Sequence, residues 1–472
     1  MTESTALAHL AAAEQAAQAM DAADTSDAAP PIRRAAIVGA GTMGRGIAMC
    51  FAAAAIPVRL LDSDSAAVSR GLASIASSYA AAEAKGRQTR EETERRLGAI
   101  TAAGDYADLA DADLVVEAAF EEMDVKRDVF ARLDAVCRPD AILATNTSSL
   151  DVAALARGTA HPGRVIGMHF FSPAHVMRLV EIVRPDTVDR PVLVATRCLA
   201  RTLGKIGVVV GVCDGFVGNR MLFAYRQQAN FLLEEGAAPE QIDRALTAFG
   251  LPMGPYQMGD LAGLDISWRI RKRQAATRPP HLRYSRIADV LCERGRFGQK
   301  TGAGWYRYEP GRREPIPDPE VLALIESISA EMGIRRRAIA DDEIVERCLF
   351  PLVNEGARIL DEGIAERAGD IDVIWVHGYG FPKGRGGPMF WAADVGFDRV
   401  ARTIERLHAD PGLLADVDVQ LILSHLACAD DPTSPKNEQQ RQKFDRLRAR
   451  LPAAKASLAN SGGVFLGRQF HY

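Results

Sequence analysis

At 472 residues the chain is too long for one hydrophobic core and is expected to divide into two to four domains. Its 47% hydrophobic and 25% charged content is that of a soluble globular protein, and a net charge of −4 supplies no basic field, which argues against a nucleic-acid partner. The seven cysteines, odd in number and without a C-x-x-C pair, argue for a reducing compartment and against a disulfide frame or zinc site. His169 and His175 lack a companion ligand pattern, so no metal is expected.

Residues 1–29 have no basic n-region and do not read as a signal peptide. The Ala-rich segment 1–30, ending at Pro30-Pro31, reads as a frayed helix and linker. From Arg33 the pattern changes. Ala35–Val38 reads as a short buried strand, followed by a glycine turn and a helix to about Ala55; Val58–Leu61 is the next strand. Helical periodicity fills about 64–100, with a bend at Gly86 between Lys85 and Arg87. Further strands are read at Leu114–Ala118, Ala141–Ala144, Val165–Gly167 and Leu179–Val183, with helical stretches between most of them. This alternation implies a parallel sheet with helices on both faces, an α/β Rossmann-like doubly wound domain over 31–212.

After about Gly211 the strands stop and an all-α pattern occurs twice. Arg220, Leu222, Phe223, Leu233, Glu235 and Gly236 recur at a constant offset of 127 as Arg347, Leu349, Phe350, Leu360, Glu362 and Gly363. Phe249-Gly250-Leu251-Pro252 then parallels Tyr379-Gly380-Phe381-Pro382, and Gly254-Pro255 and Gly263-Leu264-Asp265 parallel Gly387-Pro388 and Gly396-Phe397-Asp398. The reading is two copies of one helical domain, 213–310 and 343–430, joined by a connector at 311–342. The Arg-rich runs at 269–273 and 335–337 read as solvated faces, with a local hold on an anionic ligand as the lesser alternative. Residues 431–472 are an unassigned tail. No run of eighteen apolar residues occurs, so no membrane span is expected.

Four sets of residues carry chemistry. Gly39-Ala40-Gly41-Thr42-Met43-Gly44 follows a strand and opens a helix, which permits a tight turn and close approach of a pyrophosphate to the helix N-terminus. Asp62 closes the second strand at the expected distance, where its carboxylate would accept from both ribose hydroxyls and repel a 2′-phosphate; NAD is therefore expected over NADP. Asn146-Thr147-Ser148-Ser149-Leu150 ends a strand, where ligands bind in such sheets, although Ser and Asn are also ordinary helix caps. His169 and Glu181 lie twelve residues apart in two apolar strand-like runs. An imidazole can take a hydroxyl proton near neutral pH when a carboxylate fixes its tautomer. Taken alone, the pair reads more readily as a buried satisfied histidine and a solvated glutamate on a strand. Asn219 caps a helix or reaches into a cleft at the sheet–helix junction.

Together these segments, with Phe297-Gly298-Gln299-Lys300-Thr301-Gly302, resemble the L-3-hydroxyacyl-CoA dehydrogenases from about Arg33 to about Phe397, most closely the dehydrogenase half of multifunctional fatty-acid β-oxidation enzymes. The resemblance implies a Rossmann-like domain followed by two copies of the family's C-terminal domain. It implies NAD-dependent oxidation of (S)-3-hydroxyacyl-CoA to 3-oxoacyl-CoA. His169 matches the catalytic base and Glu181 its partner; Ser148 and Asn219 match residues that contact the reacting oxygen and the histidine. Gly39, Gly41, Thr42, Met43, Gly44, Asp62, Glu121, Lys126, Ser148 and Lys300 match the cofactor site, while Ser78 and Lys85 match positions that hold CoA. Lys85 and Lys126 remain readable as surface lysines, and Ser78 as a helix-surface serine.

Single-copy relatives dimerise through the helical domain, so a second copy in one chain implies a monomer. Only about 30 residues precede the glycine turn, where the multifunctional enzymes carry a hydratase domain, so hydratase activity is not expected; association with a separate hydratase or thiolase is. The sequence Gln469-Phe470-His471-Tyr472 is no peroxisomal S-K-L type address, and the cytoplasm is expected. A short-chain 3-hydroxybutyryl-CoA dehydrogenase, a piece of a multifunctional enzyme working beside a hydratase, and a non-catalytic, crystallin-like protein on the same scaffold are the alternatives.

Overall fold

The computed structural model describes residues 2–20, 31–276, 278–279, 283–409, 421–423, 442 and 455–457. It divides into two compact units: a sheet unit of Leu7–Arg220 with Glu362–Tyr379, and a helical unit of Met1–Ala6, Met221–Asp361 and Gly380–Tyr472. No helix among the described residues is long and apolar enough to cross a membrane.

Helix α1 (Glu3–Gln18) is not the frayed segment the sequence reading proposes. Ala6, Leu10, Ala13 and Ala17 recur on one face and are buried, so the helix has an apolar stripe and a surface to lay it on. Residues 21–30, the linker of that reading, lie outside the described residues.

The sheet unit is built on eight strands: β1 (Ala35–Val38), β2 (Val58–Leu61), β3 (Ile100–Ala102), β4 (Leu114–Glu117), β5 (Ile142–Thr145), β6 (Val165–Phe170), β7 (Leu179–Arg184) and β8 (Ile206–Gly211). Their order is β3-β2-β1-β4-β5-β6-β7-β8. The inner strands are buried along their whole length, which is why they read as unbroken apolar runs rather than alternating ones. Between them run α2 (Thr42–Ala53), α3 (Ser65–Ala84), α4 (Arg90–Gly98), α5 (Met123–Val136), α6 (Val152–Ala156) and α7 (Arg190–Thr202). Asp64 and Thr89 cap α3 and α4, accepting from Ala66 N at 2.9 Å and Glu92 N at 3.1 Å.

All neighbouring strands are parallel except β6 and β7, which run antiparallel. The sequence reading implies a parallel sheet with helices on both faces, and this pair is its local exception. Only residues 171–178 separate β6 from β7, too few for a crossover helix, so the chain turns back on itself. Strands β3 and β8 are additions to the sequence reading; three residues leave β3 too short to show a period.

The helical unit takes up α8 (Gly218–Glu235) at Met221 and continues with α9 (Pro239–Phe249), α10 (Pro255–Ala262), α11 (Leu264–Ala275) and α12 (Ile287–Glu293). The expected connector contains a helix of its own, α13 (Pro319–Glu331), which buries Val321, Ile325 and Ile328. Then follow α14 (Asp341–Asp361), α15 (Ala368–Tyr379), α16 (Pro388–Val395) and α17 (Phe397–Ala409). The order α14–α17 repeats α8–α11. The chain turns from α10 to α11 at Gly263 (φ 98°, ψ 116°) and from α16 to α17 at Gly396 (φ 94°, ψ 120°), conformations that favour glycine. The repeated Arg and Glu pair crosswise: Arg220 Nη2 donates to Glu362 Oε1 at 2.8 Å, and Arg347 Nη2 to Glu235 Oε1 at 3.1 Å. Helix α15, although part of the second copy, belongs to the sheet unit, where it packs on β7 and β8.

Candidate active site

The antiparallel pairing of β6 with β7 puts His169 directly opposite Glu181. Both are buried, and His169 Nδ1 lies 2.7 Å from Glu181 Oε2. A carboxylate only accepts, so Nδ1 carries the proton and Nε2 keeps the lone pair that a base needs. The second carboxylate oxygen, Oε1, accepts from Gly218 N at 3.0 Å. Both oxygens are therefore held, and the imidazole plane is fixed. Phe171 lies 4.5 Å from the imidazole, centroid to centroid, and Phe216 lies 5.9 Å away. Phe216 has a left-handed backbone (φ 48°) and is fully buried, so packing holds a conformation that a bulky residue otherwise avoids.

Asn219 follows Gly218 at the start of α8. Its Nδ2 donates to the Ser148 carbonyl at 3.2 Å. Asn146 accepts from Phe170 N at 2.9 Å and ties the end of β5 to β6 beside His169. The cap alternative does not hold for Ser or Asn of this segment: α6 is capped by Asp151, which accepts from Ala154 N at 2.9 Å, while the Thr147 hydroxyl accepts from Leu150 N at 2.9 Å within the turn before it.

The glycine turn fits a dinucleotide. Gly39 sits at φ 113°, and a Cβ there would meet Ala118 O at 2.4 Å; one on Gly44 would meet Gly39 O at 1.7 Å. Gly41 is the N-cap of α2 and brings no side chain to its first N–H groups, which suits an anion, while Thr42 and Met43 form the first turn. Asp62 is tied to this turn: its Oδ2 accepts from Ala40 N at 2.7 Å and its Oδ1 from Asp64 N at 3.0 Å.

Lys126 is not a surface lysine. It is 1% exposed, and its Nζ donates to both oxygens of Glu117 at 2.7 and 2.9 Å and faces Glu121 at 3.3 Å. Glu117, absent from the sequence reading, also accepts from Thr145 Oγ1 at 2.6 Å and Ala119 N at 2.7 Å. Glu121 accepts from Thr147 Oγ1 at 2.6 Å, Ser148 N at 2.8 Å and Ser148 Oγ at 3.1 Å. Burial pushes the Glu121 carboxyl up, but Lys126 and these donors outweigh it, and the net shift is downward.

The remaining expected residues stand elsewhere. Ser78 and Lys85 lie two turns apart at the exposed end of α3, and the Ser78 hydroxyl donates to Ser74 O at 2.9 Å. Lys300 belongs to the helical unit, where it is paired with Asp265. Sequence reasoning also missed Lys205, whose buried ammonium donates to Ala174 O and Met177 O, each at 2.6 Å, and so braces the loop between β6 and β7.

Comparison with known proteins places this geometry. The sequence model described as the 3-hydroxyacyl-CoA dehydrogenase NAD-binding domain matches residues 34–213, and that of the C-terminal domain of the same family matches twice, at 215–308 and 344–430. A third model, the alanine racemase N-terminal domain, matches 395–472 and overlaps the second copy. The tail has no assignment in the sequence reading. Its described residues include Leu421–Leu423 and Lys455–Ser457, which pair in parallel.

The peroxisomal bifunctional enzyme of Cavia porcellus is 48% identical over 395 residues, 81% of this chain and 54% of that protein. This chain therefore spans about half the length of the curated relatives it matches. Among solved structures, 3-hydroxybutyryl-CoA dehydrogenase of Escherichia coli is 29% identical with a TM-score of 0.70, covering 81% of this chain and 96% of that one. The (S)-3-hydroxybutyryl-CoA dehydrogenase PaaH1 of Ralstonia eutropha is 36% identical with a TM-score of 0.56, covering 59% and 99%.

The expectation of a cytoplasmic protein is corrected by the curated relatives of Cavia porcellus, Danio rerio, Homo sapiens and Arabidopsis thaliana, which at 37–48% identity carry peroxisomal names and point to the peroxisome instead. That expectation rested on a missing terminal address, and a missing signal carries no such weight. With both domain models matched in order, NAD as the cofactor of the first, and a solved relative covered almost end to end, the chain belongs to the 3-hydroxyacyl-CoA dehydrogenase family.

Proposed function

We propose that the chain oxidises (S)-3-hydroxyacyl-CoA to 3-oxoacyl-CoA in fatty-acid β-oxidation. The observation that carries this reading is the buried His169–Glu181 pair at 2.7 Å, with Nδ1 engaged and Nε2 left as the base. The glycine turn and Asp62 would hold NAD+, which would supply the acceptor for the hydride leaving C3. His169 takes the 3-hydroxyl proton, and Glu181 offsets the charge that forms on the imidazole. Ser148 and Asn219 hold the reacting oxygen, Glu121 and Lys126 line the cofactor site, and Ser78 and Lys85 meet the CoA portion. General-base catalysis of this kind contributes about 10²- to 10⁴-fold.

The crosswise Arg–Glu pairs support a monomer. Each copy gives its arginine to the other's glutamate, the reciprocity expected of an isologous dimer interface, here closed within one chain. The name of the Cavia porcellus relative joins two activities in one protein, which supports work beside a separate hydratase or thiolase.

A short-chain reading is favoured by the two solved relatives named 3-hydroxybutyryl-CoA dehydrogenases. An NADH-absorbance assay with acetoacetyl-CoA and a longer 3-oxoacyl-CoA separates them. Preference for the longer thioester supports the first reading, turnover of acetoacetyl-CoA alone supports the second, and turnover of neither contradicts both.

A further inference from the structure

Helix α15 of the second copy ends in Tyr379, and its hydroxyl donates to Asn219 Oδ1 at 2.9 Å. The direction follows from the other end of the amide. The Ser148 carbonyl only accepts, so Nδ2 must face it, and Oδ1 must face the tyrosine. One hydrogen of Nδ2 is used by Ser148 O; the other meets no acceptor among the described residues and is available to a substrate oxygen. The carboxamide is thus held at both ends.

The seat of Tyr379 is built for this. Its ring meets Phe171 edge-on at 5.5 Å, and Phe171 in turn lies against His169. A Cβ on Gly218 would come within 2.6 Å of the Tyr379 hydroxyl, and one on Gly378 within 3.0 Å of the Phe171 ring. Two glycines therefore let α15 approach the start of α8 and the end of β6.

The duplication provides an internal control. Tyr379 corresponds to Phe249 of the first copy, and Asn219, at the repeat offset of 127, to Glu346. At those equivalent positions Phe249 packs edge-on against Phe381 and Trp391, and Glu346 accepts from Arg399 at 2.7 Å. The helical fold needs an aromatic ring at this position; it does not need the hydroxyl. Of these two equivalent pairs of positions, only the one beside His169 and Ser148 has the hydroxyl and the amide together.

We propose that Tyr379 is a positioning residue of the dehydrogenase centre, its hydroxyl holding the Asn219 carboxamide in the orientation the reaction uses. This rests on the function proposed above. The test is steady-state kinetics of wild type, Tyr379→Phe, Asn219→Ala and the double variant with NADH and acetoacetyl-CoA. Tyr379→Phe keeps the ring and removes one hydrogen bond. It is expected to lower kcat about 5- to 20-fold, with KM for NADH within about twofold and Tm within about 2 °C. On the Asn219→Ala background the same change is expected to have no further effect, because the amide it holds is gone. Wild-type kcat in Tyr379→Phe, or the same loss on both backgrounds, overturns the positioning role while leaving the dehydrogenase reading intact. An inactive wild type overturns both.

Discussion

The demand on Glu181 is specific because its two oxygens have separate duties, one to His169 Nδ1 and one to Gly218 N. A glutamine offers one acceptor for two donors. In Glu181→Gln either the imidazole takes the wrong tautomer or the Gly218 N–H loses its partner. The expected result is a kcat lower by about 10²- to 10⁴-fold with the NAD dissociation constant within about twofold, read by turnover and fluorescence titration. Wild-type turnover in this variant would remove Glu181 from the mechanism. The pair was legible in the sequence because both residues interrupt apolar runs, and such runs are strands. Glu117 and Lys205 were not, since a charged residue at a strand end is usually solvated; only the fold shows that Lys126 and two backbone carbonyls surround them. Lys126 was legible as a family position but not as a buried one.

Among the elements, the reversal of β7 matters most, since a parallel β7 would not place Glu181 opposite His169. It was implicit in an eight-residue connection, which the alternating pattern elsewhere obscured. The helical segment also has a pH-dependent element. Asp243 accepts from Tyr256 N at 3.0 Å and Gln257 N at 3.1 Å, holding the start of α10, and from Tyr306 OH at 2.6 Å. Asp260 accepts from Trp305 N and Tyr306 N at 2.9 and 3.0 Å. Burial pushes both carboxyls up from 3.8 to about 6. Between those values the folded chain holds more protons than the unfolded one. Their contribution to stability is therefore full below about pH 4 and is lost as the pH rises through about 6. The Tm advantage of wild type over Asp260→Asn is expected to be larger at pH 5 than at pH 7.5. An equal difference at both would contradict the assignment.

At the scale of the molecule, the duplication was legible from three blocks of repeated residues in order, and the helices repeat in the same order. The inclusion of α15 in the sheet unit was not, because a repeat pattern records ancestry and not packing. The two crosswise ion pairs differ in environment. Arg347 is fully buried, and Arg347→Ala removes its charged hydrogen bonds to Glu235 while Arg283 still donates to that carboxylate at 2.8 Å, so a loss of about 1.5–3 kcal/mol is expected in urea unfolding. The partner of Arg220, Glu362, is 42% exposed, and Arg220→Ala is expected to lose less than about 1 kcal/mol from that pair. Sedimentation at micromolar concentration is expected to give a single monomeric species, and a stable dimer would contradict the internal pairing.

The central claim is that a histidine oriented by Glu181 is the base of an NAD-dependent hydroxyacyl-CoA oxidation. It is tested most directly by steady-state turnover of His169→Gln against wild type, with NAD affinity measured on both. The expected result is a kcat at least about 10²-fold lower with NAD binding nearly intact. Turnover close to wild type would contradict it.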